Sequence, residues 1–236
     1  MRSQVESWND VYKKEEDING VAFPSEYVIR MFKGSYPKLD FKAQEGGYKG
    51  KSILDISCGG SGRDLIVFKQ VGFEKIAATE ISSEIVEQIK LNSGKIGIDV
   101  DAQVGTNREL PFGDSSFDYL LSWNVCYYFD DDIDFDKHVL EYARVLKPGG
   151  ILVFSIPKAN CFIYRDCIDR GNGLAEITND PFGARNGVIL RRFSGEDDIE
   201  LTFGNKFENF VFGSIEDDCF GLNYSWHIGY CKRRVD

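Results

Sequence analysis

Histidine is almost absent from the 236 residues: there are two, His138 and His227. The six cysteines include no C-x-x-C pair, so neither an imidazole-rich nor a thiolate zinc centre is supported, and no metal is expected. The acidic run from Asp130 to Asp136 lacks the glycine and terminal glutamate of a calcium loop. No apolar run approaches the ~18 residues of a membrane-spanning helix, and the opening MRSQVESWNDVYKKEED has no apolar stretch of the kind an export signal carries. A cytoplasmic protein with reduced thiols and no membrane partner is therefore expected. Positive charge is also in deficit, with 28 basic against 38 acidic residues and a net charge of −10. That balance gives little support to a nucleic-acid partner, whose affinity comes largely from neutralised phosphates.

What is present is an ordinary globular composition, 42% apolar and 28% charged, at a length that suits one domain. Residues 1–50 are turn-rich, broken by Pro24, Pro37 and the Gly46–Gly47 pair, and read as an N-terminal cap. From residue 51 short apolar runs alternate with helical periods. Strands are expected over 52–57, 75–79, 100–104, 117–122 and 151–156, and helices over 63–71, 84–91 and 132–146. The second helix would be capped by Ser82 or Ser83, and the third would stop at the KPGG of residues 147–150. Such alternation implies a parallel sheet covered on both faces. Residues 157–192 show no clear period and read as a substrate-side insert. Residues 193–236 read as a terminal helix and hairpin, with strands over 206–213 and 222–232 joined by an acidic turn at Glu216, Asp217 and Asp218.

In an open parallel sheet, ligands sit beyond the carboxyl ends of the strands. Four segments end at that edge. The first is a glycine loop, Ser57 to Gly62, where a ligand could approach the backbone. The second is Glu80, 25 residues after Asp55, placed to accept hydrogen bonds from a ribose diol. The third is GTNRELPF from Gly105, and the fourth SWNVCYY from Ser122. Together they describe a nucleoside pocket. A nicotinamide fingerprint is incomplete, because Leu65 stands where G-x-G-x-x-G needs its third glycine.

The strings LDISCG (54–59), TEIS (79–82), ELPF (109–112) with SFD (116–118), and RVLKPGG (144–150) resemble those of class I S-adenosylmethionine-dependent methyltransferases of small-molecule type. The resemblance covers about residues 51–156. It implies a three-layer α/β sandwich with a mostly parallel seven-stranded sheet in the order 3-2-1-4-5-7-6, strand 7 antiparallel. It also implies S-adenosyl-L-methionine as cofactor and S-adenosyl-L-homocysteine as product. Ser57, Gly59 and Gly62 would lie along the methionine portion, and Glu80 would hold the ribose. Ile81 would pack on adenine, with Asn107 and Arg108 at its edge. Trp123 would close the sulfonium end, and Tyr12, with Trp8, would fold over the cofactor from the cap. Three departures stand out: Ser57 replaces the family's first loop glycine, the loop is one residue longer before Gly62, and Thr106 replaces the acid that often holds the adenine amino group.

Methyl transfer needs orientation above all, and a base only where the acceptor must lose a proton. Tyr128, at the pocket mouth, and His227, in the last strand, are the candidate catalytic residues; His138 reads as a packing position. Residues 157–193 carry a net +2 while the rest of the chain carries −12. That excess points to a small acceptor bearing phosphate or carboxylate. The expected activity is methyl transfer to oxygen or nitrogen of such a molecule. The alternatives are a catalytically silent cofactor-binding relative and a nicotinamide-dependent oxidoreductase.

Overall fold

The computed structural model describes residues 4–16, 23–42, 47–129 and 134–235. Two helices, α1 (Gln4–Glu16) and α2 (Glu26–Phe32), precede β1 (Ser52–Asp55), α3 (Leu65–Val71), β2 (Lys75–Glu80), α4 (Ser83–Lys95), β3 (Asp101–Val104) and β4 (Phe117–Ser122). The chain continues through α5 (Asp136–Val145), β5 (Leu146–Pro157), a 3-10 turn (Phe162–Tyr164), β6 (Ile168–Gly171), β7 (Leu174–Glu176) and β8 (Ile189–Arg191). It ends in α6 (Glu196–Phe203), β9 (Phe207–Cys219) and β10 (Leu222–Arg233).

Seven strands form one sheet in the order β3-β2-β1-β4-β5-β10-β9. Numbered within the sheet, this is the expected 3-2-1-4-5-7-6. Only β10 runs antiparallel to its neighbours, β5 and β9. The central strands form because apolar residues occupy both pleat faces, as a doubly covered sheet requires. Ile53 faces one core and Leu54 the other, and the pairs Leu121/Leu120 and Val153/Leu152 repeat the split. Each such side chain, fully buried, contributes roughly 1.5–3 kcal/mol. One core is aromatic around Phe32, Phe73 and Tyr119, beneath α2 and α3. The other gathers α5, α6 and the insert around Tyr142, Phe154 and Phe203.

Several boundaries differ from expectation. The third core helix begins at Asp136, with Asp134 and Phe135 ahead of it outside the helix and residues 130–133 outside the described range. KPGG is not a loop after that helix: Leu146 is already extended and pairs with Phe117, so β5 begins there, with its register shifting through residues 147–150. The hairpin turns at Phe220 and Gly221, both with positive φ (52° and 88°), the twist a two-residue hairpin favours. Glu216, Asp217 and Asp218 are therefore not the turn; they lie in β9, opposite Ser225, Tyr224 and Asn223. Charge on this edge strand discourages pairing with another chain. The insert is no irregular wall: β6, β7 and β8 make a separate three-stranded antiparallel sheet. It is tied to the site by the Tyr128–Leu190 bridge and by Arg191 N–H donating to the Tyr127 carbonyl at 2.8 Å.

Candidate active site

A cavity of about 240 Å³ opens at the carboxyl ends of β1, β2 and β4, walled by α1 on one side and by Arg185 of the insert on another. Tyr12, Ser57, Gly59, Glu80, Ile81, Asn107, Trp123 and Tyr128 all line it, as do Trp8 and Asp55. The topology thus brings together residues from six separate segments.

The glycine loop is shaped by backbone needs. Ser57 adopts φ 50°, which explains why a glycine suits this place. Gly59 has φ 80°, and a Cβ there would sit 3.2 Å from the Tyr12 hydroxyl, so side-chain-free backbone lets α1 close over the loop. Asn92 of α4 holds the loop from behind, its amide donating to the Gly60 carbonyl at 3.1 Å. α1 is in turn docked on α4: the Ser82 hydroxyl accepts from Ile85 N–H at 3.3 Å as N-cap and donates to Asn9 at 2.7 Å.

Glu80 is the best-held acid. One carboxylate oxygen accepts from Gly59 N–H and the other from Ile81 N–H, each at 2.9 Å. Those bonds favour the ionised form, yet burial outweighs them and pushes the group up to about 7. Asp55 is buried beside it, raised well above its ordinary range by burial and then by the negative charge of Asp64. Its Oδ2 is buried without a hydrogen-bond partner among the described residues. A buried carboxylate oxygen without a donor is costly and calls for a ligand that brings one. On the third segment Asn107 is aligned by a buried relay: its Oδ1 accepts from the Tyr142 hydroxyl at 2.5 Å and its amide donates to the Val125 carbonyl at 3.3 Å. Acceptors at Glu80 and Asp55, with acidic surroundings, fit a molecule carrying hydroxyl and ammonium donors and a positive charge. S-adenosylmethionine has that donor set.

Three expected residues lie elsewhere. Gly62 sits behind the loop, against Leu65 and Ile89. Arg108 does not line the cavity; its charge acts on His138 instead. His227 is also absent from the cavity wall: on β10 it pairs with Ile156 and Ser214, and its Nδ1 lies 3.6 Å from Glu196. Burial lowers its pKa and keeps the ring neutral, but its place in the sheet, away from the cavity, removes it as a base for this site. Tyr128 does face the cavity, its hydroxyl accepting from Arg185 Nε at 2.7 Å. Burial raises its pKa despite the guanidinium, so it stays a neutral phenol able to donate.

The insert's positive charge is mostly spent within the fold. Lys158 pairs with Glu216 at 2.5 Å, Arg191 with Asp198 at 2.7 Å, Arg192 with Asp169 at 3.9 Å, and Arg170 with Glu176. Arg185 alone of the six lines the cavity. Among the described residues no cluster of three or more metal-ligating side chains occurs, and no helix is long and apolar enough to cross a membrane.

The sheet order, the glycine loop and the acid ending β2 are those that the resemblance to class I S-adenosylmethionine-dependent methyltransferases implies. A nicotinamide-type sheet would lack the antiparallel β10 between β5 and β9. Residues 54–154 match the family described as methyltransferase domain. The chain is similar to the 2-methyl-6-phytyl-1,4-hydroquinone methyltransferase of Synechocystis sp., 34% identical over 49% of this chain and 37% of that protein. It is also similar to the demethylmenaquinone methyltransferase of Geobacillus stearothermophilus, 26% identical over 77% of this chain and 80% of the relative. Among solved structures, an S-adenosylmethionine-dependent methyltransferase from Methanosarcina mazei shares the fold with a TM-score of 0.66 and 20% identity, covering 86% of this chain and 99% of that one.

Proposed function

We propose that the protein transfers the methyl group of S-adenosylmethionine to an oxygen or nitrogen of a small molecule in the cytoplasm, without a nucleic-acid or membrane partner. The observation that carries this reading is the pair of buried acids at the strand ends. Glu80 is fixed by two backbone N–H groups, and the unpartnered Oδ2 of Asp55 stands beside it in a cavity that α1 covers. The names of the two curated relatives support a small acceptor, and Arg185 supports one that carries a phosphate or carboxylate.

The cofactor, when bound, supplies a methyl group already activated on a positively charged sulfur. The chain's own residues then bind and orient. Glu80 accepts the ribose hydroxyls, and Asp55 accepts an ammonium donor. Asn107, fixed by Tyr142, borders the adenine, while Trp123 and the α1 aromatics Trp8 and Tyr12 exclude water. Tyr128, remaining a neutral phenol, donates a hydrogen bond to the acceptor and so sets its position. Holding the reacting atoms about 3 Å apart supplies most of the acceleration expected from such a site.

Calorimetric titration with S-adenosylmethionine and S-adenosylhomocysteine tests this, on the native protein and on Glu80→Ala. Binding by the native protein, weakened on the order of a hundredfold in the variant through loss of two charge-assisted hydrogen bonds, is the expected result. No binding by the native protein would remove the reading. Tight binding with no methyl transfer to any of a broad acceptor panel would favour a silent relative.

A further inference from the structure

The cavity is electrically lopsided. Its glycine-loop end holds Asp55, Asp64 and Glu80, with Arg63 3.8 Å from Asp64 as the one cation among them, whereas its far end holds the guanidinium of Arg185. That side chain is only 12% exposed and is set in place from several directions. Asp180, whose side chain is wholly buried, accepts from the backbone N–H groups of Ala184 and Arg185 through Oδ2, at 2.9 and 3.0 Å. Its Oδ1 accepts from Arg185 Nη1 at 3.0 Å. Arg185 Nε donates to Tyr128, and the guanidinium lies 5.4 Å from the Trp8 ring centre.

Arginine has five N–H donors, of which this arrangement uses two. Nη2 and the second proton of Nη1 have no hydrogen-bond partner among the described residues. Asp180 neutralises the pair overall, but it has no exposure to the cavity and both its oxygens are engaged, so the positive end of the pair is the end the cavity sees. A ligand with two coplanar acceptor oxygens matches a guanidinium edge. The neighbouring walls are rings: Trp8 meets Tyr128 edge-on at 6.3 Å and stacks on Tyr12 at 5.8 Å, and Trp123 lines the same cavity.

We propose that the Arg185 end of the cavity is the acceptor subsite and takes a flat aromatic ring bearing a carboxylate, the ring among Trp8, Tyr128 and Trp123 and the carboxylate on the guanidinium. The term acceptor rests on the methyltransferase reading; the binding preference does not. Arg185 is thus a specificity determinant, reached from the insert once β8 has bridged to Tyr128.

The test is calorimetry with benzoate, salicylate and indole-3-acetate, each beside its neutral amide, in the presence and absence of saturating S-adenosylhomocysteine. The native protein should prefer at least one carboxylate over its amide by tenfold or more. Arg185→Gln should bring that ratio to about one while S-adenosylhomocysteine affinity stays within about threefold. Arg185→Lys, which keeps the charge without the planar fork, should retain an intermediate preference, and it carries the comparison should the glutamine variant fail to fold. No carboxylate preference in the native protein, or an unchanged preference in the variants, would overturn the subsite. Carboxylate preference without any S-adenosylhomocysteine binding would keep the subsite and remove the methyltransferase reading.

Discussion

Glu80 carries two functions that pull against each other. Its carboxylate has to be ionised to accept two hydroxyl donors, yet burial holds it at about 7. Cofactor binding should therefore draw a proton off below that pH. Affinity for S-adenosylmethionine is expected to weaken by up to tenfold per pH unit below about 7 and to flatten above it. Asp55 and Asp64 face the same end and titrate upward too, so the comparison that isolates Glu80 is Glu80→Gln, in which the slope should shrink by one proton. Calorimetry in buffers of different ionisation enthalpy counts that proton directly; an unchanged slope in the variant would assign it elsewhere. Gly59 offers a steric counterpart. Alanine at φ 80° costs roughly 1–2 kcal/mol of backbone strain, and its Cβ would press on Tyr12. Gly59→Ala should both lower stability by about that amount and weaken cofactor binding, whereas Gly183→Ala, with open space at a similar φ, should lower stability alone. Denaturant melts and titration of the two variants separate these effects.

At the scale of elements, legibility tracked burial. β1, β2, β4 and β5 were readable because each is an apolar run closed by polar or glycine residues, and sheet order followed from the resemblance those strings carry. The glycine loop, Glu80 and Asn107 were readable for the same reason, since each ends a strand. The insert was not. β6 is exposed throughout, β7 and β8 are three residues each, and none has an alternation long enough to register. Arg185 was consequently indistinguishable from Arg191 and Arg192; only the fold brings it to Tyr128, 57 residues away. The Asn179-Asp180-Pro181 string could have signalled a turn, but not which way its arginine points. The ELPF string is an element-level staple. Arg144 of α5 donates to the carbonyls of Leu110 at 3.0 Å and Phe112 at 2.8 Å, and Glu141 accepts from Leu110 N–H at 2.6 Å. Arg144→Ala should destabilise by about 2 kcal/mol, through two unpaired carbonyls and a partly buried Glu141 left without its cation. Urea melts measure this, and a change under about 0.5 kcal/mol would show that the loop holds itself.

For the whole molecule, two buried groups tilt stability in opposite directions. The folded-state pKa of Glu80 is raised, from the ordinary 4.5 to about 7, so its contribution is fully present below about 4.5 and is lost as pH rises through 7. His138 is fully buried on α5 and lowered from 6.5 to about 4, so its contribution is present above about 6.5 and is lost as pH falls through 4. Between about 4.5 and 6.5 the two slopes cancel, one proton against one, and their sum is flat. Glu80→Gln removes only the falling limb. Its stability relative to the native protein should accordingly climb between about pH 4.5 and 7, by on the order of 3 kcal/mol, and hold constant above. Saturating S-adenosylhomocysteine should abolish most of that difference, because a ligand that supplies hydroxyl donors stabilises the ionised carboxylate the native fold otherwise strains to bury. Parallel urea titrations across that range, with and without the ligand, decide the matter. A difference that stays flat with pH would mean that Glu80 is already ionised in the ligand-free fold, and that the two backbone N–H groups, not burial, set its charge.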